Sequence, residues 1–160
     1  MSLLSSHPSP TEFAISLFDR AVTTARRFPD SILLTMGRVA IAGVFWNSAM
    51  SKLASWETTL ALFKEEYRLP LLPTELAAYL GTGTELIGAV LLFFGLGARF
   101  AALMLLGVTA VIQIFVYPES WVHHLQWATI LLLVLVKGAG RVSIDQLILA
   151  LFRRQSKAGR

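Results

Sequence analysis

No cysteine occurs among the 160 residues, which excludes disulfides, thiolate metal sites and dithiol redox chemistry for the chain on its own. Charge is scarce too. Asp, Glu, Lys and Arg make up 15% of the chain, against about 25% in ordinary soluble domains. With 55% hydrophobic residues and a mean hydropathy of +0.63, too little polar surface is left to coat a water-soluble fold. A soluble all-α reading would need polar helices to wrap buried ones, and the sequence does not contain them. A basic stripe is also lacking, so the net charge of +4 is no nucleic-acid signature. Met1–Pro10 is Ser/Pro-rich and lacks a basic start with an apolar core, so a cleaved export signal is not expected. Gly81 to Leu86 has no third glycine and lies in an apolar run, so it makes no phosphate cradle. No Ser/His/Asp hydrolase arrangement stands out.

What the chain does have is four long apolar stretches: Ser31–Ser51, Leu76–Leu96, Ala98–Tyr117 and Trp121–Lys137. Crossing a hydrocarbon core of about 30 Å takes about 17–25 apolar residues in a helix. The expected fold is all-α, a four-transmembrane-helix bundle with amphipathic interfacial helices at the N-terminus, in the first loop and at the C-terminus. Ser9-Pro10-Thr11-Glu12 reads as a capped start, with Ser9 as cap and Glu12 closing a capping box. Phe13, Leu17, Phe18 and Ala21 then recur at helical spacing until Phe28-Pro29 ends the helix. Leu53, Trp56, Leu60, Phe63 and Tyr67 make a second short apolar face, with Ser55 as its cap, and Pro70 and Pro73 break it. Gly95-Leu96-Gly97 and Pro118-Glu119-Ser120 are tight links between antiparallel neighbours. Gly138-Ala139-Gly140 closes the fourth stretch, and Ser143 caps a last helix ending in Arg153, Arg154, Lys157 and Arg160. Three regions follow: a tail and amphipathic cytoplasmic helix over 1–30, the membrane domain over 31–142, and a basic amphipathic helix and tail over 143–160.

Lys and Arg counted by side set the orientation. Arg20, Arg26, Arg27, Arg99 and the six from Lys137 to Arg160 share one face, ten against Lys52, Lys64 and Arg68 on the other. Such a bias puts both termini in the cytoplasm, with the chain in the cytoplasmic (inner) membrane and loop 118–120 on the opposite side. Basic residues at the span ends also contact anionic lipid.

Arg38 and Glu85 lie well inside two stretches. A charge at mid-bilayer costs about 2.5–3.5 kcal/mol on insertion scales, so such residues pair or line a wet cavity. Counted from the span ends, their depths differ by roughly 6 Å, within reach of a snorkelling arginine. The two are therefore expected to form a buried polar pair. It serves either to fix helix register or to tune a pKa or bind an anionic group.

Ala77, Gly81, Thr84 and Gly88 recur at three- and four-residue intervals, the pattern that lets membrane helices pack closely, or leaves room for a ligand groove. By depth, Asn47, Lys52, Glu75, Gln113, His123, His124 and Gln126 reach one layer near the opposite leaflet, accompanied by Trp46, Tyr117, Trp121 and Trp127. The bland reading is an aromatic belt with headgroup contacts. The sharper one is a half-buried pocket of Asn47, Lys52, Glu75, Gln113, His124 and Gln126 that takes a quinone headgroup. Metal binding is not expected. Adjacent His123 and His124 point about 100° apart on a helix, and His7 is distant in the chain.

With these features placed, the sequence resembles the DoxX family of small four-helix membrane proteins. The likeness rests on Gly37-Arg38, Lys52-Leu53, Thr84 to Gly88, Leu92 to Arg99 and Gly138 to Asp145, in that order and spacing, and covers about residues 31–150. It implies that Arg38, Lys52, Glu85 and Asp145 form the polar signature of the family. Some relatives are membrane subunits of quinone-linked assemblies, including thiosulfate oxidation. Others act beside redox or metal-handling systems, and distant eukaryotic ones in maturation. Two functions follow as expectations: a quinone-linked redox subunit fed with electrons by a protein partner, or a non-catalytic chaperone, scaffold or accessory protein. Under either, the chain holds no cofactor with its own ligands, and whether it is an enzyme stays open, as does self-association. A permease is the weaker third, because four spans without a repeat offer little material for alternating access.

Overall fold

A computed structural model describes residues 10–70 and 72–158, with side chains described from 11 to 156. The proposed cap Ser9 and His7 lie outside the described residues. Helices follow one another as α1 (Pro10–Arg26), α2 (Asp30–Ala54), α3 (Trp56–Leu62), α4 (Thr74–Phe94), α5 (Ala98–Val111), α6 (Trp121–Lys137) and α7 (Ile144–Ala158). π-helical turns extend α3 over Phe63–Tyr67 and α5 over Ile112–Val116, and a 3₁₀ turn, Pro118–Ser120, leads into α6. The chain divides into two units, residues 1–30 and 31–160. In the first, α1 leaves Phe13, Leu17 and Phe18 exposed.

The second unit is the bundle. Three of its helical stretches, Asp30–Ala54, Thr74–Phe94 and Ala98–Val116, are long and apolar enough to cross a membrane. Helix α6, with 17 residues, packs along α5. Their shared core draws Ile41, Ala42 and Phe45 from α2, Ala89 and Leu92 from α4, Ala102 and Leu105 from α5, and Leu131 and Val134 from α6. Outside that core large apolar side chains face outward on every one of these helices, among them Met36, Ile87, Phe93, Phe100, Leu103 and Val136. Water would not tolerate so broad an apolar flank. Lipid does, so the chain is a membrane protein.

Local chemistry explains the joints. Gly95 (φ +65°) ends α4 and Gly97 (φ +56°) starts α5, both left-handed, which suits residues without a Cβ. Ser55 caps α3 through its hydroxyl, and Ser143 does so for α7 at Gln146 N. The first-loop helix packs onto the bundle: Phe63 and Tyr67 are buried against Ala77 and Ala78 of α4.

Candidate functional site

Helix α2 buries one continuous stripe, comprising Leu34, Arg38, Ile41, Phe45, Ala49 and Lys52. Steps of three and four residues keep these side chains on the face toward α4. Its two cations have different partners. Lys52 Nζ lies 2.7 Å from Glu85 Oε2 and donates to Ser48 Oγ, one turn back, at 2.7 Å. The Lys52 and Glu85 side chains are only 7% and 3% exposed. Thr59 Oγ1 donates to the Lys52 carbonyl at 2.7 Å and ties the start of α3 to the end of α2.

Arg38 is equally buried at the other end of α4. Its Nη1 donates to the Leu92 and Phe93 carbonyls, and its Nη2 to the Val142 carbonyl at 2.7 Å. Carbonyls in the last turn of a helix lack a full set of intrahelical partners and carry the negative end of the dipole. They therefore replace a carboxylate as the counterpart of the guanidinium.

The expected Arg38–Glu85 pair is not formed. Both residues are buried, 2% exposed each, but they have separate surroundings. Depth from span ends misled because the antiparallel register sets Arg38 beside Leu92, seven residues or roughly 10 Å beyond Glu85. Lys52 reaches inward and takes the carboxylate instead. The signal for this was present: Lys52 sits on the same stripe as Arg38, Ile41 and Phe45, hence on the inward face.

Asp145 has a structural task. Its carboxylate accepts from Gly97 N at 2.8 Å and Ala98 N at 3.2 Å, the first amides of α5, while its own N–H donates to Gly95 O at 3.0 Å. An anion at a helix start is favoured by dipole and free donors alike. Asp145 thus holds the start of α7 against the α4–α5 turn.

The six residues expected to line one pocket do not do so. Gln113 and His124 meet, His124 Nδ1 lying 2.7 Å from Gln113 Oε1, and Gln113 Nε2 donates to Pro118 O at 2.8 Å. Lys52 belongs with Glu85. Asn47, Glu75 and Gln126 are exposed. A shared depth fixes the level of a side chain but not its direction around the helix, and these three point away from the bundle.

A cavity does exist, elsewhere. About 360 Å³ opens between the first-loop π turn, α4 and α5. Glu85, Tyr67 and Thr84 supply its polar lining, and Phe63, Leu80, Met104 and Val108 are among its apolar walls. The small residues of α4 shape it. Ala77, Gly81 and Thr84 line the cavity, whereas Gly88 lets Leu105 approach: a Cβ there would lie 2.7 Å from Leu105 Cγ. The stripe thus provides both the groove and the close packing.

Tyr67 packs on Phe63 with tilted rings 4.5 Å apart and meets Tyr117 edge-on at 6.0 Å, and the Tyr117 hydroxyl donates to Glu66. Burial, with the Glu85 and Glu66 charges, pushes the Tyr67 phenol up to about 12. Burial and the bond to Glu66 raise Tyr117 as well. A phenol whose folded pKa lies above its unfolded value of about 10 adds stability that is complete below pH ~10. That stability is lost as pH rises through about 12, the folded value for Tyr67. Resistance to unfolding in detergent is expected to fall across this window in the wild type and less in Tyr67→Phe, read by circular dichroism beside tyrosinate absorbance.

A helical bundle with a lipid-facing apolar flank, and an ion pair buried beside a cavity, defines a polytopic membrane protein whose site lies within its own helices. The DoxX family profile matches residues 33–118, more than half of the sequence, and the chain belongs to the DoxX family. An uncharacterized protein of Haemophilus influenzae is 28% identical over 137 residues, spanning 78% of this chain and 89% of that protein. No solved structure matches the chain.

Proposed function

We propose that this chain is the membrane subunit of a quinone-linked redox system, and that the headgroup enters the cavity beside Glu85 and Tyr67. The chain spans the inner membrane four times, α6 being the fourth crossing, with both termini cytoplasmic and α1, α3 and α7 at the interface. The observation that carries the reading is an apolar cavity of about 360 Å³ whose lining includes one buried carboxylate and one phenol. Ligand pockets run from about 300 to 1,000 Å³, apolar with a few placed polar groups, so the residues present fit a small cyclic diketone with an apolar tail.

Tyr67 stays protonated at neutral pH and donates a hydrogen bond to a carbonyl oxygen. Lys52 holds the Glu85 carboxylate in place. Two of the three ammonium protons go to Ser48 and Glu85, which leaves one to polarise a neighbouring acceptor. A bound quinone supplies two-electron, two-proton chemistry, and the electrons come from a protein partner. This cavity stands in place of the pocket of Asn47, Lys52, Glu75, Gln113, His124 and Gln126 expected from the sequence, of which Asn47, Glu75 and Gln126 are exposed and Gln113 and His124 bond to each other.

Titrating purified protein with a short-tailed ubiquinone analogue tests the reading, with quenching of Trp56, which packs by the first-loop cluster, as the signal. Saturable quenching is expected in the wild type and its loss in Thr84→Phe, which fills the cavity. No saturable binding, alone or with the partner, refutes it. The rival reading, a scaffold or accessory protein for a maturation or metal-handling system, is favoured by one fact: Lys52 and Glu85 satisfy each other.

A further inference from the structure

Arg38 presents an imbalance that the Lys52–Glu85 site does not share. Among the described residues, no carboxylate lies within salt-bridge distance of its guanidinium, and its Nε has no hydrogen-bond partner. Carbonyl dipoles satisfy three of its five N–H groups but leave a whole positive charge inside the bundle. Asp145, the carboxylate of that corner, acts on Arg38 through its charge without touching it, because its oxygens are bound by the first amides of α5. A buried cation with no anion in contact is costly in a low-dielectric setting.

The surroundings show where an anion can come from. Arg38 borders an open notch of about 390 Å³ between α2, the end of α4 and the start of α7, with Thr35 and Ser143 as its hydroxyl groups. The N-terminus of α7, a 15-residue helix, adds the positive end of its dipole there. Val39, Phe93 and Phe94 also line this notch, and the same three residues line a second recess of about 440 Å³. That recess continues between α2 and α4 past Ala42, Gly43 and Ala89 to Trp46. From Val39 to Trp46 the groove runs roughly 10 Å along the helix, most of the hydrocarbon depth of one leaflet at about 15 Å.

We propose that the Arg38 notch and the α2–α4 groove together bind one anionic phospholipid, its phosphate beside Arg38, Thr35 and Ser143 and an acyl chain along Gly43 and Trp46. The occupant has to be a lipid for two reasons. The notch is cationic and the groove wholly apolar, so a headgroup and a tail are both required, and both recesses open on the flank that faces the bilayer. The leaflet is the one from which α2 begins and α7 departs. Such a ligand supplies the contacting anion that Arg38 lacks and fastens α7 to the α4–α5 turn. The site is separate from the Glu85 cavity and does not depend on its occupant.

Native mass spectrometry of the full-length protein, with dioleoyl phosphatidylglycerol or dioleoyl phosphatidylcholine titrated into a nonionic detergent, tests this. Both lipids carry the phosphate, but the choline cation cancels its charge, so the anionic lipid is expected to bind in a one-to-one adduct roughly tenfold more tightly. Gly43→Phe is the decisive variant, because Gly43 lines the groove and a Cβ there meets nothing within 4 Å, so a ring is expected to occupy the groove and leave the bundle folded. It should lose the tight adduct while its melting temperature in lipid-free detergent stays that of the wild type. Arg38→Gln, where it folds, should bind the two lipids equally. Equal binding of both lipids by the wild type, or an undiminished phosphatidylglycerol adduct in Gly43→Phe, overturns the proposal.

Discussion

Glu85→Gln alone is expected to destabilise the folded bundle by about 3–5 kcal/mol, the usual cost of leaving one half of a buried ion pair uncompensated. The Lys52 ammonium, 2.7 Å from the carboxylate, would be left with Ser48 and a neutral amide in a site that water barely reaches. Lys52→Met alone should cost a similar amount for the mirror reason. Both together, as Lys52→Met with Glu85→Met, should recover most of the loss, since apolar replacements of similar volume for a buried pair are often neutral or stabilising. Unfolding in a mixed-detergent titration measures these variants, and Glu85→Met alone completes the double-mutant cycle that gives the coupling energy. The double variant also separates the two functional readings. A scaffold keeps its activity without the pair. A quinone site loses it, because Glu85 lines the cavity and Lys52 orients it.

The second large effect is expected at a glycine. A Cβ added at Gly95 would stand 2.6 Å from Arg38 Nη1 and 2.6 Å from Ser143 Cβ, at a φ of +65°. Gly95→Ala therefore combines a left-handed penalty of about 1–2 kcal/mol with displacement of Arg38 from its carbonyls, where a charged hydrogen bond contributes about 1.5–3 kcal/mol. A loss of about 3 kcal/mol or more is expected. Gly97→Ala is the control. Its φ is +56° but a Cβ there meets nothing within 4 Å, so the left-handed penalty alone should appear. Equal losses in the two variants would show that the Arg38 corner contributes nothing to stability.

Much of the fold is legible from composition and spacing. Trp121–Lys137 is both the fourth apolar stretch and helix α6, and the Gly95–Gly97 and 118–120 links fall where glycine and proline put them. The π turns at Phe63–Tyr67 and Ile112–Val116 were not legible, because hydropathy has the same pattern whether a turn holds 3.6 residues or slightly more. In the site, burial of Arg38 and Glu85 followed from the cost of charge in lipid. Their partners did not, because a basic residue in the last turn of a span reads as an orientation signal, and Lys52 looked like one. Backbone carbonyls are also invisible as counterparts in a residue list. Gln113 and His124 share a layer and do meet. Asn47, Glu75 and Gln126 share that layer but are turned outward, a rotation that depth cannot report.

Because one plus and one minus cancel at the contact of Lys52 with Glu85, the voltage of an energised membrane does almost no net work on that couple. Removing the carboxylate charge, as in Glu85→Gln, would change this at once. The lone ammonium left behind would feel the field, at about 2.3 kcal/mol per 100 mV for a full crossing of the bilayer, so this substitution would add, at Lys52, a charge on which the voltage does work.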